Sequence, residues 1–397
     1  MEENLFSVII LCYRHFEYLF SAIDSVLEQN YPAIELIISD DGSLNFPRNR
    51  IEQYIEKSKR ANIKRVLIHQ EEKNVGTVKH LNHAIPLCQG NYIVALAGDD
   101  VFYDENVLSH YAGGFTSAPE DCMIQMAQTA MYDENLEILE SYYVSPSVQT
   151  AIEKTREDCS ELLHLLLTSG ARLPSTSTCY KKEFFSHFGA FDEGYVLVED
   201  FPMHMRLAEE GWIVHYNNCV TIKHRHGGIS HGQKDTLSSS SRLYFSDTRK
   251  MIQEIVLKRI KELPEEEENM AKQHWKRQLR WLDFTLAKAS GDRSETVSAV
   301  LRYPGYAFQI LLGKMWGWAY RQHLKPLIYF LALRLFTPVI AEMGEEVLKI
   351  SAVSITTILC WISILLLMFW FIAFIVWCLN KLIWMIARFP SEVLAIG

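Results

Sequence analysis

The chain has 397 residues, 49% of them apolar and 22% charged, with a formal net charge of -9. That size and apolarity allow a large buried core in one domain, or two smaller ones with appendages. The negative balance excludes nucleic acid as the main partner, because phosphate-backbone binding is driven by clustered Lys and Arg. Eight cysteines are scattered from Cys12 to Cys378 with no CxxC spacing, which reads as reduced thiols in a cytosolic compartment rather than a disulfide framework or zinc site. Met1–Asn4 is short and acidic and lacks the basic-then-apolar plan of a secretory signal.

Residues 1–232 read as alternating strand and helix, an α/β, Rossmann-like, mostly parallel sheet with flanking helices. Ser7–Leu11 is a short apolar strand. Phe16, Leu19, Phe20, Ile23, Val26 and Leu27 then recur at helical spacing until Tyr31-Pro32. Glu35–Ser39, Val66–His69 and Tyr92–Leu96 are further strands, with a helix from about Thr77 to Leu87 before the last. In such sheets ligands sit beyond the carboxyl ends of the strands. Asp40-Asp41 and Asp99-Asp100 both fall at such ends. Beyond Gly232 the texture changes: Gln233–Arg242 is polar and Ser-rich, expected to be a flexible connector. Helical segments follow over 233–345, with the acidic run Glu265–Glu268 expected as a solvated helix start. Trp316, Trp318, Tyr320, Arg321 and Lys325 suit either an interfacial helix pair or a bundle packed on the first domain. From Ile350 to Leu379 no residue is charged, and about 20 apolar residues suffice to cross a bilayer. Residues 346–397 are therefore expected to form a transmembrane segment, as one span or a tight hairpin.

Each chemical motif has a bland reading beside a functional one. Asp99-Asp100 after a strand can be a turn or helix cap, or carboxylates that hold Mg²⁺ or Mn²⁺ against a diphosphate. Asp40 can be a turn residue ahead of Gly42, or the acceptor for the imino hydrogen of uracil or thymine. Tyr13 can be half-buried, or stack on that base. Lys79, after Lys73-Asn74-Val75-Gly76, lies on a surface helix or turns toward the same ligand. One acid of Glu199-Asp200 can be a simple N-cap, or Asp200 is the general base that takes a proton from an acceptor hydroxyl attacking opposite the leaving group. Arg225 and His226 belong to a His-rich surface loop, or to a mobile loop that approaches the diphosphate.

Taken in order, these stretches resemble the family 2 glycosyltransferases with the GT-A fold. The resemblance spans Phe6 to Ser230 and is carried by Ser7–Tyr13, Ala22–Gln29 with Tyr31-Pro32, Glu35–Ser43, Asn74–Gly76, Leu96–Asp100, Gly189–Glu193, Glu199-Asp200 and Arg225-His226. It implies that Tyr13 and Asp40 hold a pyrimidine, that Asp99 and Asp100 bind metal and donor, and that Asp200 is the catalytic base. Leu11-Cys12 stands where the family often has Pro-Thr, and Ala97 where its acidic motif often begins with another Asp. The expected function is an inverting, metal-dependent transferase moving a sugar from a UDP- or dTDP-sugar to a membrane-associated acceptor. A polyprenyl-linked saccharide in cell-surface polysaccharide synthesis is the expected acceptor, with the catalytic domain on the cytoplasmic face of the inner membrane. The rivals are a polyprenyl-phosphate glycosyltransferase, a sugar nucleotidyltransferase and an inactive scaffold.

Overall fold

In the computed structural model, the described residues are 4–226 and 237–307, with 309, 310 and 313. The chain divides into two units, 1–299 and 300–397, and the sheet and site belong to the first. The expected transmembrane segment lies outside the described residues. Among those residues, no helix is long and apolar enough to cross a membrane.

The first half is built by crossover units. Strand β1 (Phe6–Cys12) leads through helix α1 (Leu19–Leu27) to β2 (Ile34–Asp40), then α2 (Arg48–Ser58), β3 (Ile63–Gln70), α3 (Thr77–Ala84) and β4 (Tyr92–Ala97). Every residue of β2 is buried, as are six of seven in β1. Strands covered on both faces need continuous apolar runs. Alternation divides them: Val8, Ile10, Leu36 and Ile38 pack with the buried stripe of α1, whereas Ile9 and Ile37 face Ala84 of α3.

The strand order is β3-β2-β1-β4, all parallel. The chain moves outward from β1 to β3 and then returns to the other side of β1. That reversal opens a crevice beyond the carboxyl ends of β1 and β4, the place where open α/β sheets take ligands.

The second half corrects the expectation of a mostly parallel sheet. After β5 (Val101–Phe102) and α4 (Val107–Ser117) come β6 (Ile124–Tyr132) and β7 (Leu139–Tyr142). Next are α5 (Pro146–Lys154), α6 (Ser160–Ser169), β8 (Thr178–Lys181), α7 (Phe184–Phe188), α8 (Asp200–Glu210) and β9 (Val214–Arg225). Strand β8 enters antiparallel between β4 and β6, β6 runs parallel to β9, and β5 and β7 pair antiparallel at the margins. The nine-stranded sheet is mixed because these later strands do not follow the strand–helix crossover rhythm.

A second correction concerns the Ser-rich connector. Helix α9 (Ser239–Met251) begins inside it, and the Ser238 side chain accepts from the Ser241 backbone N–H as an N-cap. Serine at that position satisfies an otherwise orphaned helix donor. A π-helical turn (Ile252–Val256) and α10 (Leu257–Arg259) follow. Then α11 (Glu265–Ser290) starts on the acidic run, as expected, and α12 (Arg293–Arg302) follows it. Trp275, Leu279 and Leu282 of α11 join the core beneath α6 and α8.

Gly42, at the turn after β2, has φ +72°, and a Cβ there would lie 2.2 Å from the Lys73 carbonyl carbon. Both strain and a backbone clash therefore oppose a side chain. Gly42→Ala should destabilise the protein by more than about 1 kcal/mol in urea unfolding. Unchanged stability would mean that the 73–76 loop is not packed against this turn.

Candidate active site

Asp40 ends β2 level with Cys12 of β1 and is fully buried. Its Oδ2 accepts from the Ser43 backbone N–H at 2.7 Å and the Gln70 side chain at 3.2 Å. Its Oδ1 is buried with no partner among the described residues. A buried carboxylate oxygen without a donor is costly, which marks a place where a ligand N–H fits. Tyr13, just past β1, is half-buried, and the Arg14 guanidinium lies 4.7 Å from its ring centroid.

The neighbouring Asp41 is saturated by the Asn74 side chain at 2.8 Å and the backbone N–H groups of Val75 at 2.8 Å and Gly76 at 3.0 Å. It secures the loop that starts α3. Lys79 lies on that helix, exposed.

Beyond β4, Asp100 is fully buried and committed on both oxygens. The His224 ring bonds Oδ2 at 2.9 Å, and the Arg225 backbone N–H bonds Oδ1 at 3.0 Å. The Arg225 side chain returns the link, with Nε donating to the Asp99 carbonyl at 2.9 Å, Nη1 donating to the Glu134 carbonyl, and the guanidinium 3.9 Å from the Tyr18 ring centroid. The ends of β4 and β9 are thereby stitched together although they are not neighbours in the sheet. Asp99 forms no ion pair among the described residues. Burial first, and Asp100 second, push its carboxyl above the ordinary range. A cation would relieve that penalty, so the oxygen donors suit a hard divalent metal that keeps positions for phosphate and water. No group of three or more His, Cys, Asp or Glu among the described residues could hold a metal unaided.

Arg225 closes strand β9 and His226 follows it, pairing with Glu140 at 3.2 Å. Neither residue therefore lies on the mobile loop expected to carry both, and the rest of that expected loop, from residue 227, lies outside the described residues. Arg225 is 6% exposed and acts within this corner as a brace.

Asp200 opens α8, with its Oδ1 accepting from the Phe201 N–H at 2.8 Å. No bond joins it to Asp99 or Asp100 among the described residues; the tie runs through the scaffold. In β6, Met131 is level with His224, and the Thr129 carbonyl accepts from the Tyr143 N–H at 3.0 Å. Tyr143 in turn feels the charge of Asp200. Another tie is Trp275: its indole N–H donates to the Leu167 carbonyl at 2.6 Å, and the Phe201 ring stands 6.0 Å away, edge-on.

Sequence reading had not singled out Arg172 or His204, both close enough to Asp200 to interact electrostatically. Arg172 belongs to no motif. His204 was detectable, four residues after Asp200 and hence on the same helical face. It is fully buried, with neither ring nitrogen hydrogen-bonded among the described residues, and burial lowers its pKa to about 4, keeping it neutral.

Glu199 is pushed up to about 8, by burial first and by the Asp200 charge second. Unfolding returns it toward its ordinary value of 4.5. Between those values the native state keeps a proton that the unfolded chain has lost, so stability falls as pH rises through the window. Glu199→Gln removes this titration. Its melting temperature relative to the parent should therefore climb between about pH 5 and pH 8; a difference that stays flat would show that Glu199 ionises normally.

Residues 7–159 match the family described as Glycosyl transferase family 2. An uncharacterized glycosyltransferase of Rickettsia typhi is 28% identical over 229 residues, which cover 57% of this chain and 66% of that protein. A putative teichuronic acid biosynthesis glycosyltransferase of Bacillus subtilis is 34% identical over 98 residues, 25% of this chain and 37% of that one. The mannosyltransferase of Pyrobaculum calidifontis, solved in complex with GDP-Man and Mn²⁺, aligns over 80% of this chain and 81% of its own at TM-score 0.46 and 13% identity. Over residues 7–159 the chain is thus similar to the family 2 glycosyltransferases, and the relatives matched over a wider stretch are themselves described as glycosyltransferases.

Proposed function

We propose that the chain is an inverting transferase that uses a UDP- or dTDP-sugar and a divalent cation. The observation that carries this reading is Asp40. With Oδ2 occupied by Ser43 and Gln70 and Oδ1 left open in a buried setting, it can accept one N–H from a base. Uracil and thymine present a single imide N–H, whereas the paired donors of guanine would want both oxygens. Tyr13 would stack on the base. Asp99 would face Mn²⁺ or Mg²⁺, backed by Asp100, and the metal would supply charge stabilisation for the departing diphosphate.

Asp200 would take the proton of the acceptor hydroxyl, and that oxygen would attack the anomeric carbon from the face opposite the diphosphate. The acceptor we favour is a polyprenyl-linked saccharide of cell-surface polysaccharide synthesis, and the site of action the cytoplasmic face of the inner membrane. The apolar run from Ile350 to Leu379 supports both.

Asp200→Asn should abolish sugar transfer yet leave UDP affinity within about twofold, because only the proton acceptor is lost. Equal turnover in that variant would remove Asp200 from the mechanism. In calorimetric titration, UDP or dTDP should bind in preference to GDP, and Asp40→Ala should erase the preference. A parent chain that binds GDP as well as UDP would contradict the role of Asp40.

A further inference from the structure

Arg172, a cation that the donor chemistry does not use, lies within electrostatic range of Glu199 and Asp200 at the start of α8. Arg172 lies on the loop between α6 and β8, exposed to solvent. Its place is fixed by packing: that loop starts at Gly170, where a Cβ would lie 3.0 Å from the edge of the Trp275 indole. Phe201, next to Asp200, packs on the same indole with centroids 6.0 Å apart. One ring thus holds both the Arg172 loop and the N-terminus of α8. Arg172 donates from Nη1 to the Tyr244 hydroxyl and sits 5.7 Å from the Tyr244 ring centroid. It forms no ion pair among the described residues. A guanidinium has five N–H donors in a planar fork, and among the described residues only one of them, to Tyr244, is engaged. Tyr143, another neighbour of Asp200, is 38% exposed, and Tyr142 beside it is 52% exposed.

We propose that Arg172, flanked by Tyr143 and Tyr244, forms an acceptor subsite next to Asp200 that reads a negative charge on the acceptor, a carboxylate or a phosphate group. This rests on the reading of Asp200 as the base that meets the acceptor. Tyrosine faces suit the apolar face of a sugar ring, and an Arg fork matches two oxygens of a carboxylate or phosphate at once. The rival duty for Arg172 is to balance Glu199 and Asp200. That duty would affect neutral and charged acceptors alike.

The test is a calorimetric titration of the full chain in detergent, first with UDP and Mn²⁺, then with octyl glucoside, octyl glucuronide and octyl glucoside 6-phosphate added to the UDP complex. At least one charged ligand should bind about tenfold or more tighter than octyl glucoside, the size of one charge-assisted contact. Whichever charged ligand binds better identifies the group as carboxylate or phosphate. Arg172→Gln should remove the preference while leaving UDP and octyl glucoside affinities unchanged, and Arg172→Lys should restore part of it. Equal affinities for the three glycosides, or a preference that survives Arg172→Gln, would overturn the subsite. Intact UDP binding with no charge preference sinks the subsite alone; failure of the first titration sinks the donor reading and, with it, this one.

Discussion

Asp100 is the residue on which the site's geometry depends. It lies where β4 ends, out of contact with water, and a carboxylate in that position must be bonded on both oxygens or pay heavily for desolvation. His224 and the Arg225 backbone provide those bonds. Because they come from the last turn of β9, the demand of one buried charge pulls a distant strand against the end of β4. Arg225 then braces the corner through Asp99, Glu134 and Tyr18. Removing the Asp100 carboxylate would therefore loosen more than one ligand position.

Counting bonds divides the carboxylates into fasteners and working groups. Asp41 accepts three bonds and holds a loop. Asp100 accepts two from β9. Among the described residues Asp40 keeps one oxygen open, and Asp99 carries no ion pair despite being mostly out of solvent. A protein tolerates such unpaired groups only where something else gains by them, which is why buried, under-bonded acids are sound pointers to ligands. Glu199 and Asp200 follow a different pattern: two adjacent acids at a helix start, one of them pushed to hold its proton.

Much of this was legible in the residues. The strands β1 and β2 are buried on both faces, and β4 in part, and each is built around a short apolar run (Val8–Leu11, Leu36–Ile38 and Ile93–Ala97), while the helices between them carry a clear stripe. The acids at their carboxyl ends followed directly. The second half was less legible because β8 and β9 take their direction from tertiary pairing and not from a strand–helix rhythm. Gly227-Gly228 drew attention to a loop, yet pairing with β5 and β6 extends β9 through Arg225. The serines before α9 looked like a linker because serine is common to linkers and N-caps, and only the Ser238–Ser241 bond separates the two. Arg172 was invisible because its importance comes from a Trp about a hundred residues downstream.

The claim beneath the rest is that one pocket holds a pyrimidine nucleotide at Asp40 and a divalent metal at Asp99. The most direct measurement is a crystal structure of the chain grown with UDP and Mn²⁺, with diffraction recorded at the manganese absorption edge. The account predicts an anomalous peak coordinated by Asp99 and the diphosphate, and a uracil imide nitrogen within hydrogen-bond distance of Asp40 Oδ1. Nucleotide bound elsewhere, or manganese on residues other than this acidic pair, would contradict it.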